Sequence, residues 1–168
     1  MTPWRKPMRW WRHAVTDQAD AKGAFPSGTL DRIEQAIAAA EQRHAGQIVL
    51  AIEPALPIAR VLAQLSPRER ALEVFGLLRV WDTEHNNGVL VYLLLADRDV
   101  EIVADRGIHR HVGAAAWQEI CSAMEAAYRE GRFEEGTLAG IAAISALLAR
   151  SFPKGDSANE LPDRPVVI

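Results

Sequence analysis

The 168-residue sequence predicts an α/β fold, a three-layer α/β/α sandwich in which helices cover both faces of a small mixed sheet. Two short apolar stretches, 47–53 and 88–96, are typical of strands that are buried on both faces. A tight turn at 97–99 indicates that a third strand returns antiparallel to the second. Helical patterns occur before, between and after these strands, and that order favours helices on both sides of the sheet.

The first predicted helix leads directly into the first strand. Gly46 is the expected end of this helix, and the strand 47–53 is β-branched and apolar on both faces, as in the middle of a sheet. The apolar residues that recur at helical spacing are Leu30, Ile33, Ala36, Ile37 and Ala40.

A capping box marks the start of the second helix. Ser66 can cap the third amide of the helix, Glu69 can reach back to the cap, and Pro67 occupies the first helical position. The helix is expected to end near Trp81. The side chains expected to point inward from it are Leu72, Phe75 and Leu78.

The second half of the chain predicts a hairpin followed by helices. The strand 88–96 should pair with 100–103 through the turn between them. Two alanine-rich helices then follow at about 114–130 and 134–151. In the polar tail, only 165–168 could add a marginal edge strand to the sheet.

Length and composition indicate one globular domain. We expect a Trp/Arg-rich extension over 1–26, the domain over 27–153 and a tail over 154–168. The net charge of -3 does not suggest nucleic acid as a partner. The single cysteine, Cys121, excludes an internal disulfide, so a reducing compartment is compatible with the sequence.

The hydropathy of the sequence predicts the cellular compartment of the protein. The sequence has neither the apolar run and cleavage site of a secretory signal nor the roughly 20 apolar residues of a spanning helix. We therefore expect a cytoplasmic protein, which could be peripheral at the inner membrane face.

The N-terminal extension interleaves indoles with cations. This pattern is typical of an interfacial anchor that touches anionic lipids, and equally of an arm that docks on a partner protein. In a third interpretation the tryptophans fold back onto an apolar groove of the domain while the cations stay in water. The candidate contact residues are Trp4, Trp10, Trp11, Arg5, Arg9 and Arg12.

The candidate functional site is the segment 82–88 before the second strand, here called the polar loop. It offers hard oxygen ligands, the type that calcium and magnesium prefer, and the neighbouring hairpin strand ends at the same edge of the sheet. The loop is not an EF-hand, because the twelfth position counted from Asp82 is Leu93 rather than a glutamate. The candidate ligands are Asp82, Glu84, Asn86, Asn87 and Asp105.

A purely structural interpretation of this loop is also open. Asp82 or Thr83 would then cap the helix end or the loop, and the asparagines would adopt turn conformations that other residues avoid. The residues alone do not decide between the two interpretations.

Short motifs occur in a recognisable order along the chain. They include Gly46-Gln47-Ile48-Val49-Leu50, Arg70-Ala71 with Phe75, Asn87-Gly88-Val89-Leu90, and Gly131-Arg132-Phe133. In this order they resemble the TPM domain, a family named for a thylakoid lumen protein, a photosystem II repair protein and a modulator of acetylcholine receptors. The resemblance covers about residues 30–152.

The resemblance implies an α/β/α sandwich but no single reaction. Some members look like divalent-cation binders, others act as accessory proteins in membrane assemblies, and a plant member has been described as an acid phosphatase. We therefore expect a binding or accessory module that binds calcium or magnesium at the polar loop and acts with a membrane-associated protein partner. The alternative is a metal-assisted acid phosphatase in which Arg106 stabilises phosphate oxygens.

The sequence also departs from the family pattern. Many relatives have a glycine-leucine-glutamate turn followed by an acidic residue. Gly107-Ile108-His109 and Gly113-Ala114 stand there in this chain. A metal site carried over from the family would lack those two acids.

Overall fold

A computed structural model describes residues 5–156 and 158–168, with side chains from residue 9 onward. The described chain forms helices and strands in the alternating order that the sequence predicts for an α/β protein. Their bounds are α1 Arg5–Val15, α2 Gln18–Ala24, α3 Ser27–Glu41, β1 Gln47–Glu53, α4 Ile58–Leu62, α5 Pro67–Leu77, β2 Gly88–Leu94, β3 Asp99–Ala104, α6 Arg106–Val112, α7 Ala114–Arg129, α8 Phe133–Ser151 and β4 Val166–Val167.

The sheet is mixed, with strand order β3-β2-β1-β4. β1 and β2 are parallel, with Gln47 opposite Gly88, whereas β3 runs antiparallel to β2 through the predicted hairpin. β4 pairs with β1 in parallel, so the marginal edge strand of the tail is confirmed. Every residue of β1 and β2 is buried, as expected for strands covered on both faces.

Side chains of the central strands alternate between two apolar layers. Ile48, Leu50 and Val91 belong to the layer that contains α3, α7 and α8. Val49 and Tyr92 belong to the opposite layer, which contains α4 and α5. The predicted three-layer α/β/α sandwich is therefore confirmed.

The inward face of α5 differs from the prediction. Leu72 is exposed, while Ala71 and Val74 are the fully buried residues of this helix. Phe75 and Leu78 only flank the core. The capping box at the start of α5 is confirmed, but the small side chain of Ala71 packs inward in place of Leu72.

The four helices that the sequence analysis did not predict are short. α2, α4 and α6 have between 5 and 7 residues, and so few residues give little apolar periodicity to detect, whereas the 11-residue α1 was assigned to the N-terminal extension. Residues 5–25, expected as an extension, form α1 and α2, and Phe25 is buried in the core. Within the described residues, no helix is both long and apolar enough to cross a bilayer.

Candidate functional site

The starts of β1 and β2 and the end of β3 meet at one edge of the sheet, here called the amino-terminal edge. The backbone N–H of Gln47 donates to the carbonyl of Asn87 over 2.9 Å. The N–H of Asp105 donates to the carbonyl of Gly88, also over 2.9 Å. The polar loop and the residue after β3 are therefore fixed side by side by the sheet itself.

Thr83 gives the polar loop its shape. Its hydroxyl accepts from the N–H of Asn87 over 3.1 Å, and its carbonyl accepts from the N–H of Asn86 over 3.3 Å. Asn86 has a φ of 50°, the left-handed region that asparagine tolerates better than most residues. Gly88 must be a glycine, because a Cβ there would overlap the Val80 carbonyl. The structural roles that the sequence suggested for these residues are therefore present.

Two side chains at this edge keep a buried oxygen for which the described residues supply no hydrogen-bond partner. Asn87 is 3% exposed; its Nδ2 donates to the Ala45 carbonyl over 2.5 Å, but its Oδ1 accepts nothing. Asp105 is 7% exposed; its Oδ1 caps α6 by accepting from the N–H of Arg106 over 2.6 Å, and its Oδ2 accepts nothing. An unpartnered buried oxygen costs about 1–3 kcal/mol, so two at one edge require an explanation.

The start of α6 lies directly against the polar loop. A Cβ on Gly107 would be 2.6 Å from the carbonyl oxygen of Asn86 and 3.3 Å from that of His85. Only a glycine allows this approach, which brings the loop carbonyls next to the helix that Asp105 caps. The structure thus brings the backbone of Asn86 and Asn87 next to that of Asp105 and Gly107.

The other predicted ligands lie at the surface. The carboxylate of Asp82 is paired with Arg79, and both side chains are exposed. Glu84 is exposed, and its backbone N–H donates to Glu160 Oε2 over 3.1 Å. Among the residues that the structure describes, no three His, Cys, Asp or Glu side chains form a group that could hold a metal ion. The three predicted acids are therefore not a carboxylate cluster.

Arg106, the predicted anion contact, is the first residue of α6. It is exposed, beside Asp105, at the same edge of the sheet. Its side chain is therefore open to solvent, one residue after Asp105.

The opposite edge, where β1 and β2 end, is here called the carboxyl-terminal edge. Arg70 donates twice to the Glu53 carboxylate, over 2.9 and 3.0 Å, and the Tyr92 hydroxyl donates to the same carboxylate over 2.6 Å. Burial raises the pKa of Tyr92, and the Glu53 carboxylate raises it further. These side chains form a hydrogen-bonded network around the buried Glu53 carboxylate, and Arg70 extends it by donating to Glu73 over 2.9 Å.

α1 covers the rest of the carboxyl-terminal edge by binding Asp97. Arg9 and Arg12 donate to the two Asp97 oxygens over 2.9 Å each. The buried ring of His13 accepts from the Leu56 N–H at Nδ1 over 2.9 Å, and its Nε2 lies 3.2 Å from Asp97 Oδ2. Arg9 and Arg12, predicted as membrane or partner contacts, are thus engaged within the molecule.

The tryptophans of α1 differ from its arginines. Trp10 and Trp11 are 39% and 58% exposed and form an edge-to-face pair with ring centroids 5.8 Å apart. Both rings therefore keep part of their surface open to solvent. Trp4 and the side chain of Arg5 lie outside the described part of the structure.

The sequence analysis missed the residues of the carboxyl-terminal edge. Glu53, Arg70 and Tyr92 are far apart in the sequence, and their pairing requires the sheet register. His13 and Asp97 could have been linked only after α1 had been recognised as a helix, because Arg9, Arg12 and His13 share one face only at helical spacing.

The fold and this site can be compared with known proteins. A family model for the TPM domain matches residues 15–147. The chain belongs to the TPM domain family. The BA42 protein of the psychrophilic bacterium Bizionia argentinensis, solved by NMR, superposes with a TM-score of 0.75 at 28% identity, over 86% of this chain and 95% of that one.

A second solved relative supports the fold of this TPM domain alone. The N-terminal domain of a P. gingivalis protein has a TM-score of 0.62 at 19% identity and covers 77% of this chain and 80% of its own. A comparison with curated proteins finds no significant match. The family match begins within α1, so it includes residues that the sequence analysis had assigned to an extension.

Proposed function

We propose that this TPM domain is a binding or accessory module that binds calcium or magnesium at the amino-terminal edge. The observation behind this proposal is the pair of buried oxygens, Asn87 Oδ1 and Asp105 Oδ2, that accept no hydrogen bond. A divalent cation would satisfy both, since amide and carboxylate oxygens are ligands that these hard cations prefer. The bound cation would then be the partner that these two buried oxygens lack.

The donor set suits a weak site. Asp105 would supply one carboxylate oxygen and Asn87 one amide oxygen, with the backbone carbonyls of His85 and Asn86 and water as the remaining ligands. Affinity of oxygen sites for calcium rises with the number of charged ligands. With a single buried carboxylate, we expect a dissociation constant on the order of 10⁻⁴ M, near the weak end of natural calcium sites.

Titration calorimetry with calcium and with magnesium tests this site. Asp105→Asn keeps the cap on α6 but removes the charge, so it should abolish the heat seen with the wild type. Glu119→Gln, an equal change of charge on the exposed surface of α7, is the matched control and should bind as the wild type does. Absence of heat in the wild type with either ion would rule out the cation.

The same titration identifies the ligand set. Asp82→Asn removes an acid that the sequence analysis included and that the structure pairs with Arg79. If the buried oxygens form the site, this variant should bind calcium with wild-type affinity. Loss of binding in Asp82→Asn would instead favour the loop carboxylates.

The proposed setting is cytoplasmic, with a membrane-associated protein as partner or a peripheral contact at the inner membrane face. The exposed pair of Trp10 and Trp11 on α1 supports this part of the proposal. Co-sedimentation with anionic vesicles should fall when both are replaced by alanine. This double variant is preferable to deletion of 1–13, because deletion would also remove the partners of Asp97.

A metal-assisted phosphatase is the alternative function. It is favoured by one observation, the exposed Arg106 next to the Asp105 carboxylate, since a guanidinium can stabilise the equatorial oxygens of a transferring phosphate. Turnover of p-nitrophenyl phosphate with magnesium should then be lost in both Arg106→Ala and Asp105→Asn. Turnover that survives in either variant would contradict this alternative.

A further inference from the structure

The side chain of Gln47 fastens the C-terminal segment 158–168, here called the strap. Gln47 is 1% exposed, and its Oε1 accepts from the N–H groups of Glu160 and Leu161 over 2.9 and 3.1 Å. Its Nε2 donates to the carbonyl of Ala158 over 3.0 Å. One buried amide thus makes three hydrogen bonds to the strap backbone.

Two residues, Gln47 and Glu160, connect the strap with the polar loop. The backbone N–H of Gln47 donates to the Asn87 carbonyl, so the residue that holds the strap also holds the loop. Glu160 Oε2 accepts from the backbone N–H of Glu84, which adds a direct bond between strap and loop. Release of the strap would remove a loop contact and leave the buried Gln47 amide without three partners.

The remainder of the strap is bound along the sheet and α3. Arg164 pairs with Asp31 and Glu34, and the Ile168 N–H donates to the Ile52 carbonyl over 3.0 Å. Leu161 and Ile168 pack against the apolar layer that contains α5. The strap is therefore a folded part of the domain. Its contacts extend from the polar loop to the end of β1, where β4 pairs with Ala51 and Ile52.

We infer that the docked strap holds the polar loop in its ordered conformation, an arrangement here called the lock. We also infer that strap docking and cation binding strengthen each other. This inference rests on the proposed cation site. The loop that positions Asn86 and Asn87 is ordered partly by Gln47 and Glu160, so the ligand oxygens are best placed when the strap is docked. Coupling between two sites is reciprocal, so a bound cation must protect the strap to the same degree.

Amide exchange by NMR and calcium calorimetry on the full chain test the lock. Gln47→Leu keeps the size of the side chain and removes its three bonds to the strap. Exchange at 158–168 and at Glu84 and Asn87 should become faster, while the β2–β3 amides stay unchanged. The calcium dissociation constant should rise by a factor on the order of 5 to 150.

Several outcomes would overturn the lock. The strap could stay protected in Gln47→Leu, or it could be released while the loop amides and the calcium affinity remain those of the wild type. If the wild type gives no calcium heat, the proposed cation site fails by itself, and the exchange rates still decide whether strap and loop are coupled. If Gln47→Leu does not fold, Glu160→Ala, at an exposed position, decides by the same measurements.

Discussion

At the carboxyl-terminal edge of the sheet, Glu53 and Asp97 each have several side-chain partners, whereas at the amino-terminal edge Asn87 and Asp105 each keep an unpartnered buried oxygen. All four of these side chains are largely shielded from water. The difference lies in these four side chains: Glu53 and Asp97 find their hydrogen-bond partners within the chain, whereas Asn87 and Asp105 each keep a free acceptor, as Asp99, two residues after Asp97, also does at its Oδ1. We infer that the first edge stabilises the fold and that the second is the one prepared for a ligand.

This comparison reverses a common expectation for α/β sheets. Ligands of open parallel sheets usually bind outside the carboxyl ends of the strands. In this TPM domain that place is taken by α1, whose Arg9, Arg12 and His13 all face Asp97. The opposite edge remains for binding, where the polar loop and α6 meet.

The largest effect should come from Asp97→Asn. Burial alone would raise the pKa of Asp97, but His13 and Arg9 lower it, so its charge contributes to the fold. Removing one partner of a buried ion pair typically costs 3–5 kcal/mol, and we expect about 3 kcal/mol in the free energy of unfolding measured with denaturant. Asp82→Asn, which breaks an exposed pair with Arg79, should cost less than about 1 kcal/mol. Equal losses would contradict the assigned role of α1.

The next effect is the pH dependence of stability due to a buried carboxyl group at the amino-terminal edge. Glu41, which accepts from the Ile48 N–H at the start of β1, has a pKa raised to about 7 by burial. The folded state therefore holds its proton where the unfolded state has lost it, so stability falls as pH rises from about 4.5 to about 7. The full difference is about 3 kcal/mol. Glu41→Gln cannot titrate, so it should match the wild type near pH 4 and exceed it at pH 8.

His44 contributes the opposite slope at the same edge. It is fully buried, and burial lowers its pKa to about 4. The unfolded state binds a proton first as pH falls, so stability is lost between about 6.5 and about 4. The slopes of Glu41 and His44 oppose each other in the wild type. Glu41→Gln removes a carboxyl group whose pKa burial raises to about 7 and leaves another, Asp99, so this variant should lose stability more steeply than the wild type as the pH falls. Denaturant titrations of both proteins between pH 4 and 8 measure this, and parallel curves would contradict the assignment to Glu41.

A smaller loss is expected from Tyr92→Phe. The substitution keeps the ring in the apolar layer and removes only the hydroxyl that donates to Glu53. A hydrogen bond to a charged acceptor contributes about 1.5–3 kcal/mol, so we expect a cost of about 2 kcal/mol in denaturant unfolding. Tyr128→Phe, which removes a buried bond to the uncharged Thr137, is the control and should cost about 1 kcal/mol. A cost near zero for Tyr92→Phe would mean that Arg70 alone satisfies Glu53.

The sheet was predictable because its signals are local. The run Gln47–Glu53, the hairpin after β2 and the capping box at Ser66 each depend on neighbouring residues, and the structure confirms all three, although the turn of the hairpin lies at 95–98 rather than 97–99. The inward face of α5 was wrong because hydrophobicity alone favoured Leu72, whereas the position of the helix above the sheet favours the smaller Ala71. Local patterns predict elements better than they predict which side chain finally packs.

The candidate site was only partly predictable for a related reason. Its chemistry, oxygen ligands at the edge of the sheet, was visible in the sequence of the polar loop. Which oxygens lack partners depends on contacts between distant residues, such as the bond from Asn87 to Ala45 and the approach of Gly107 to Asn86. The same holds for Gln47 and Glu160, since nothing in the tail indicates that a buried glutamine holds it.

The smallest expected effect has the opposite sign and tests the comparison most directly. Asp105→Asn keeps the Oδ1 cap on Arg106 and removes the charge of a buried carboxylate whose Oδ2 has no partner. Without calcium, this variant should be more stable than the wild type by about 1 kcal/mol, whereas Asp97→Asn is less stable. With calcium at 100 times its dissociation constant, binding should stabilise only the wild type, by about 2.7 kcal/mol, so the order should invert. Thermal unfolding with and without calcium measures both stabilities. If Asp105→Asn were less stable than the wild type and calcium changed the stability of neither protein, the amino-terminal edge would have a structural role, like the other edge.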